Sequence, residues 1–160
     1  MVDYLLAGEA LDGRTGHCVA YELLGRLYRQ RFGEDMPEVS RTPGGKPYFP
    51  GKEIYFSVTH TPRHAFCVLS SRPVGVDAEE ADRPVNPRLA KHILSEREYA
   101  RYLQAPDPRR ALLTFWVLKE AAAKCTGEGI RGYPNHTDFS LSDPRVRELE
   151  GCLVAVIEGE

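Results

Sequence analysis

Residues 74–80 read Val-Gly-Val-Asp-Ala-Glu-Glu, and the rest of the chain is organised around this stretch. In an extended strand, successive side chains point to opposite faces, so the apolar side chains face one side while Asp77 and Glu79 face the other. Two close carboxylates repel each other, and burying them unpaired is costly. A hard cation such as Mg²⁺, which prefers oxygen ligands, removes that cost. The stretch therefore predicts either a strand that holds a metal ion or an edge strand with a solvated acidic face.

A second stretch, residues 116–124, reads Trp-Val-Leu-Lys-Glu-Ala-Ala-Ala-Lys and predicts a helix. Five side chains share one face at helical spacing, those of Trp116, Lys119, Glu120, Ala123 and Lys124. Glu120 can add a third carboxylate to the strand's pair, and Lys119 and Lys124 can each add a positive charge. The alternative is a surface helix in which Glu120 and Lys124 form an exposed ion pair.

The composition limits the class of protein. The 160 residues suffice for one domain or for two small halves that share a core. The chain is 42% hydrophobic and 28% charged, as in globular soluble proteins. Its formal net charge of −2 favours no nucleic-acid partner, and it has no apolar run of about 20 residues that would cross a membrane. We therefore expect neither a nucleic-acid nor a membrane partner.

The four cysteines are dispersed and include no Cys-x-x-Cys pair. This spacing favours neither a zinc site nor a disulfide framework. No signal-peptide pattern is present at the N-terminus. Together these features predict a protein of the reducing cytoplasm.

Hydrophobic periodicity and turn signals predict a mixed α+β chain. The first half contains a strand at 2–7, an amphipathic helix at about 17–32 that ends at Gly33, and a hairpin of strands at 53–58 and 65–70, with loops at 8–16 and 41–51. The second half contains the strand at 74–79, a linker at 82–88, a helix from the capping box at Ser95 to about 104, a helix at 109–126 that ends at Gly127, and strands at 137–141 and 152–157. The boundary between the halves is expected near residues 71–73.

The two stretches, taken in order, resemble the signatures of the 4'-phosphopantetheinyl transferases. Gly75-Val76-Asp77-Ala78-Glu79 matches the family's G-[IV]-D-x-E strand, and residues 116–124 match its W-x-x-K-E-[AS]-x-x-K helix. Upstream, Gly45-Lys46-Pro47 and Phe56-Ser57-Val58-Thr59-His60-Thr61 are similar to elements of the surfactin-synthetase-activating type. Two further short stretches, at residues 127–130 and 139–141, extend the resemblance to the family.

The resemblance implies a fold and an assembly. Long members of the family are pseudo-dimers of two small α+β halves with the cofactor in the cleft between them. The chain is then a single shortened domain over residues 1–160, with halves at approximately 1–71 and 72–160. Because both halves lie in one chain, we expect a monomer, unlike the family's half-length class, which trimerises.

The resemblance also implies a reaction. The family transfers 4'-phosphopantetheine from coenzyme A to a serine of an apo acyl or peptidyl carrier protein and releases adenosine 3',5'-bisphosphate. Mg²⁺ would be held by Asp77, Glu79 and Glu120. Glu120 would also act as the base, directly or through a metal-bound water, and Lys124 would stabilise the leaving phosphate. Trp116 would serve packing alone.

Coenzyme A itself would contact a separate set of residues, again by resemblance. Lys46 and His60 are assigned to its 3'-phosphate, with Thr59 assisting. Lys119 and Lys124 are further contacts, although Lys119 alternatively only orients the helix. The basic cluster that precedes the first helix in long members is reduced here to Arg14, with His17 as a second candidate, so the resemblance implies a weaker affinity for coenzyme A.

Two other functions fit the same residues. The first is a non-catalytic module that binds coenzyme A or a carrier protein, and the second is an unrelated metal-dependent phosphotransferase. Four arginines between the motifs predict a docking surface for an acidic carrier protein, Arg97, Arg101, Arg109 and Arg110. The alternative is a solvated helix face on which Glu96 and Glu98 partly cancel the positive charge.

Overall fold

The computed structural model describes residues 3–127 and 138–160 of the chain and shows a mixed α+β fold. The short family-like stretch at 127–130 and the predicted loop after Gly127 fall largely outside those residues. The elements of the first half are β1 Tyr4–Ala10, α1 Gly16–Phe32, β2 Ser40–Arg41, β3 Pro47–Tyr48, β4 Tyr55–His60 and β5 His64–Ser70. The elements of the second half are β6 Val74–Glu80, α2 Leu89–Ile93, α3 Glu96–Gln104, α4 Pro108–Thr126, β7 Val146–Leu149 and β8 Cys152–Glu158.

The first half is an antiparallel sheet of three strands in the order β1-β5-β4, covered on one face by α1. The helix begins where the Thr15 hydroxyl accepts a hydrogen bond from Cys18 N, and it ends at Gly33, whose φ of 73° is left-handed. Its apolar stripe packs against the strand side chains Ala65, Cys67 and Leu69. The predicted helix and hairpin are present, with ends shifted by one or two residues.

The second half is an antiparallel sheet of three strands in the order β6-β8-β7, covered by α4. Asp107 caps the start of α4 by accepting from Arg110 N, and Pro108 occupies its first turn. Gly127 ends the helix with a φ of 78°. The predicted capping box of α3 is formed by Ser95 and Glu98.

The two sheets pack face to face, so that the chain forms a stack of α1, the first sheet, the second sheet and α4. The interface between the sheets has an apolar core that consists of Phe66, Val68, Val74, Val76, Ala78, Cys152, Val154 and Val156. Beside it, the buried Ser57 and Thr59 of β4 contact β6. Alternation along β6 therefore directs its valines to the first sheet and its residues Gly75, Asp77 and Glu79 towards α4. In each half, the last strand of the sheet in chain order lies in the middle and pairs with the other two. This central strand is β5 in the first half and β8 in the second.

Several predicted elements differ from the observed ones. The predicted strand at 137–141 is wrong for its described part: residues 138–141 form irregular chain and a turn, because Phe139 N donates to the buried Glu98 carboxylate at 2.7 Å rather than to a strand. The predicted loop at 8–16 is shorter, because β1 pairs with β5 as far as Ala10 opposite His64. The sequence interpretation missed α2, β7 and the two-residue strands β2 and β3. Among the described residues, no helix has the length and apolarity needed to cross a membrane.

Candidate active site

The strand β6 and the helix α4 touch at Gly75. A Cβ atom at this position would lie 2.0 Å from the Ala121 carbonyl oxygen and 2.5 Å from Cys125 N, so only glycine permits the contact. Two residues farther along β6, Asp77 then lies beside Lys124 of α4. The close approach brings the two sequence motifs together.

Asp77 is a buried carboxylate, with 7% of its surface exposed. Its Oδ1 accepts a hydrogen bond from Lys124 Nζ at 3.2 Å, and Thr59 Oγ1 lies 3.4 Å from the same oxygen. Its Oδ2 has no hydrogen-bond partner among the described residues. Burial raises the pKa of Asp77 to about 7, Lys124 opposes that rise, and Glu120 and Glu79 add to it.

Glu79 is engaged by two donors. Arg83 Nη1 lies 2.6 Å from its Oε1, and Trp116 Nε1 donates to the same oxygen at 3.2 Å. Trp116 therefore orients an acidic side chain besides packing against the core of the second half, so the expectation that it serves packing alone was too narrow. Arg83 was missed, since its position in the linker gives no periodic signal.

Glu120 lies on α4 and is 9% exposed. Burial raises its pKa, Lys124 opposes the rise, and Glu79 reinforces it. The carboxylates of Asp77, Glu79 and Glu120 thus influence one another, yet their oxygens do not all lie within 4.8 Å of one another in the described structure.

A cavity of about 300 Å³ opens at Glu120 between the two halves. Its walls come from α1, the loop between β2 and β3, β4 and the end of α4. The side chains that line it include His17, Tyr21, Arg41, Lys46, Phe56, Glu120 and Lys124. Cavities that bind small molecules often have such a largely apolar lining with a few polar groups. Arg41 and Tyr21 were missed by the sequence interpretation, because only the fold brings α1 and this loop beside α4.

Lys46 crosses from the first half to the second. Its Nζ donates to the Val74 carbonyl at 3.0 Å and to the Lys124 carbonyl at the end of α4. Burial lowers the pKa of Lys46, and Lys124 lowers it further, whereas Cys125 opposes the shift. A residue predicted to bind phosphate is thus also a link between β6, α4 and the cavity wall.

His60 and Thr59 lie at the end of β4, as predicted, but at different places. The exposed His60 ring covers the start of α1, where a Cβ on Gly16 would lie 2.3 Å from it. His60 lines a groove with Glu79 and Arg83, not the cavity that contains Lys46. Thr59 is buried beside Asp77. The structure therefore does not bring Lys46 and His60 to one cavity.

Lys119 lies apart from the site. It is 1% exposed and forms an ion pair with the fully buried Glu98 of α3 at 2.8 Å, and its ammonium lies over the Phe139 ring. The expectation that Lys119 shares a face with Glu120 and contacts coenzyme A does not fit this position. Its alternative assignment, orienting the helix, fits.

Arg14 is also held elsewhere. It forms ion pairs with Glu9 at 3.1 Å and with Glu22 at 3.2 Å, and it does not line the cavity. His17, the second residue of α1, does line it. Of the two basic candidates before the first helix, the structure places only His17 at the cavity.

The four arginines of the predicted docking surface all contact other parts of the chain. Arg97 lies 3.9 Å from Asp138, Arg101 donates to the Phe139 carbonyl, Arg109 donates to the Ala81 and Arg83 carbonyls, and Arg110 pairs with Glu148. Two of these positive charges are therefore partly offset by acids. Docking of a carrier protein at this surface stays a prediction.

Comparisons with known proteins point to one family. Residues 73–153 match the family model described as the 4'-phosphopantetheinyl transferase superfamily. The chain is 34% identical over 90 residues to a 4'-phosphopantetheinyl transferase of Bacillus subtilis, which aligns 54% of this chain with 39% of that protein. It is 33% identical over 127 residues to a 4'-phosphopantetheinyl transferase of Bacillus pumilus, with 78% and 50% aligned. It is 40% identical over 81 residues to a holo-[acyl-carrier-protein] synthase of Shewanella frigidimarina, with 48% and 64% aligned. The chain thus spans less than two thirds of each of these relatives.

Proposed function

The chain belongs to the 4'-phosphopantetheinyl transferase superfamily, and we propose that it transfers 4'-phosphopantetheine from coenzyme A to a serine of an apo acyl or peptidyl carrier protein. One observation carries the proposal. Asp77, Glu120 and Lys124, from the two motifs, meet at the contact of β6 and α4, and the cavity beside them is lined by both halves.

The carboxylates fit a hard divalent cation. Asp77 Oδ2 is buried without a hydrogen-bond partner among the described residues, a costly arrangement that a cation would relieve. Asp77, Glu79 and Glu120 offer only oxygen ligands, which suit Mg²⁺. When bound there, Mg²⁺ would neutralise negative charge on the pyrophosphate of coenzyme A.

The proton and the leaving group are assigned to residues of this chain. The serine oxygen forms a bond to the phosphorus that bears pantetheine, the bond from that phosphorus to the bridging oxygen breaks, and adenosine 3',5'-bisphosphate leaves. Glu120 takes the serine proton, since a raised pKa brings a carboxylate closer to the range in which a base works at neutral pH. Lys124, which lines the cavity, offsets charge on the leaving phosphate.

The cavity between the halves is the proposed binding site of coenzyme A. Lys46 lines it and is assigned to the 3'-phosphate, with Arg41 as an additional positive charge. His60 is assigned to a phosphate at the start of α1, where its ring lies against Gly16. Thr59 acts on Asp77 instead. This arrangement treats residues 1–71 and 72–160 as the two halves of a pseudo-dimer, a reading that the equal strand order of the two sheets supports.

The proposal also covers the cellular location and the oligomeric state. The cysteines Cys18, Cys67, Cys125 and Cys152 are all free, which fits a reducing compartment such as the cytoplasm. Since one chain carries both walls of the cavity, the proposed unit is a monomer.

A non-catalytic module that binds coenzyme A or a carrier protein is the second candidate. The observation that favours it is the engagement of Glu79 by Arg83 at 2.6 Å, which occupies an oxygen that a metal ion would need. Catalysis requires that Arg83 release this oxygen or that the metal bind the other one.

The test is transfer to an apo carrier protein, measured by the intact mass of the carrier with coenzyme A and Mg²⁺ present. We expect Glu120→Gln to bind coenzyme A but to lose transfer, whereas Glu53→Gln, a change at an exposed glutamate outside the cavity, keeps both. Binding without transfer by the unmodified protein, across several carrier proteins, would establish the second candidate instead. A loss of less than about tenfold in Glu120→Gln would remove Glu120 as the base, since general bases contribute about 10²–10⁴-fold.

A further inference from the structure

A second group of metal-binding side chains lies at one end of the interface between the two sheets. His64 is the first residue of β5, Glu80 the last of β6 and Cys152 the first of β8. One ligand atom from each lies within 4.8 Å of the others. Because the three residues are far apart in the sequence, the cysteine spacing that predicted no zinc site could not show this cluster.

The distances in this cluster approach one face of a tetrahedron. The His64 Nδ1 to Cys152 Sγ distance is 3.6 Å, Cys152 Sγ to Glu80 Oε2 is 3.3 Å, and His64 Nδ1 to Glu80 Oε2 is 2.8 Å. Zinc bonds of about 2.3 Å to sulfur and about 2.0–2.1 Å to nitrogen or oxygen give tetrahedral edges of about 3.3–3.6 Å. Two edges already match, and the nitrogen–oxygen edge, shortened by a hydrogen bond, needs to open by about half an ångström.

The surroundings of the cluster suit a bound cation. Cys152 is fully buried and Glu80 is 6% exposed, so the ligands are shielded from water. The groove that contains His60 also reaches Glu80 and Thr61, which provides an entry path and space for a water molecule as fourth ligand. Arg63 pairs with Oε1 of Glu80 at 3.0 Å, and the Thr61 hydroxyl donates to Oε2. Such outer contacts orient a ligating carboxylate.

We propose that His64, Glu80 and Cys152 form a binding site for Zn²⁺ or a similar borderline divalent cation, separate from the oxygen-only site at Asp77. A nitrogen, oxygen and sulfur ligand set selects such cations over Mg²⁺. On binding, the Cys152 thiol releases its proton to solvent, and the neutral His64 ring carries its proton on Nε2 so that Nδ1 is the ligand. The bound ion joins β5 of the first sheet to β6 and β8 of the second, so it stabilises the contact between the halves. The proposal does not depend on the transfer reaction.

The test uses Co²⁺ as a spectroscopic probe in a Cys18→Ser background, which removes the exposed thiol. Mg²⁺ is kept in excess so that oxygen-only sites are filled. We expect a thiolate-to-cobalt charge-transfer band that saturates at a single equivalent and is displaced by Zn²⁺. Cys152→Ser should abolish the band, whereas Cys67→Ser, which removes another buried thiol, should leave it unchanged. His64→Gln should raise the Kd for Zn²⁺ by at least about tenfold, because even partners of metal ligands contribute about 10–100-fold.

A second measurement leaves the three proposed ligands unchanged, so it does not depend on whether their variants fold. X-ray absorption of the Cys18→Ser protein loaded with Zn²⁺ should show a single sulfur ligand with nitrogen and oxygen ligands. Coordination by oxygen alone, a missing charge-transfer band, or a band that persists in folded Cys152→Ser would each overturn the proposal. If the protein shows the thiolate-to-cobalt band but transfers nothing to any carrier protein, the result would count against the proposed function alone.

Discussion

Asp77 is a buried carboxylate whose Oδ2 has no hydrogen-bond partner among the described residues and whose neighbours include two other acids. Its pKa rises from 3.8 to about 7, so ionising it in the metal-free fold is unfavourable. The contribution of this group to stability is therefore fully present below its unfolded pKa and is lost as the pH rises through about 7.

We expect that Asp77→Asn, which keeps the shape and removes the charge, stabilises the metal-free protein at pH 8 but not at pH 4. Thermal unfolding in a chelator, measured across this range for both proteins, checks the difference. Mg²⁺ should raise the melting temperature of the unmodified protein only. Parallel pH curves for the two proteins would mean that burial does not raise the pKa of Asp77.

Lys46 and His60 are the two proposed phosphate contacts, and their surroundings predict different consequences. Lys46→Met keeps the aliphatic stem but removes the donor to the Val74 and Lys124 carbonyls, so it should lower stability by about 1.5–3 kcal/mol as well as the affinity for coenzyme A. His60→Ala removes an exposed ring and should lower affinity with little loss of stability. Calorimetry with coenzyme A and with dephospho-coenzyme A checks both variants. In Lys46→Met, an unchanged ratio of the two affinities would show that Lys46 does not contact the 3'-phosphate. In His60→Ala, unchanged affinity for both ligands would remove His60 as a phosphate contact.

Single residues of the site could be predicted only in part. Asp77, Glu120 and Lys124 follow from the periodicities of a strand and a helix, and the structure brings them together. Lys119 was placed on the same helical face, but Glu98 from another helix pairs with it in the core. Arg83 could not be identified, because its contact with Glu79 depends on how the linker turns. A local sequence pattern does not show which side chains of other elements will contact a residue, so these partners could not be predicted.

At the level of elements, the contact of β6 with α4 depends on Gly75. A methyl group there would overlap the helix backbone at 2.0 Å from the Ala121 carbonyl oxygen, so we expect Gly75→Ala to force the two elements apart. The variant should lose several degrees of melting temperature and most of its Mg²⁺ affinity. Gly25→Ala is the matched control, since nothing lies within 4 Å of a Cβ at that helical position. It should be neutral or stabilising by about 0.5–1 kcal/mol. Equal stability of the two variants would contradict this account of the contact.

The elements with strong local signals were predicted well, and the short ones were not. The capping box of α3 and the glycine stops of α1 and α4 were confirmed. The five residues of α2 and the four residues of β7 are too few to show a period. A strand was predicted at residues 137–141, but Phe139 N donates to the Glu98 carboxylate, and the backbone there is irregular instead.

At the level of the whole molecule, the proposed binding site of coenzyme A has one wall from each half. Binding should therefore slow amide hydrogen exchange on both sides, in residues 41–47 and in the last turn of α4. The helix α3, which does not line the cavity, is the internal reference. Mass-spectrometric exchange with coenzyme A and Mg²⁺ checks this expectation. Protection confined to one half would place coenzyme A outside the cavity.

The pairing of β6 has a consequence for synthesis on the ribosome. Within its sheet β6 pairs only with β8 in the described structure, and β8 follows both motifs in the sequence. A growing chain thus presents Asp77 and Glu120 outside the ribosome before the strand that fixes β6 has left the exit tunnel. During that interval the Val-Gly-Val edge offers unpaired backbone to other nascent chains. Assembly of the site consequently waits for β8, and we expect a chaperone that covers this edge to raise the yield of folded protein.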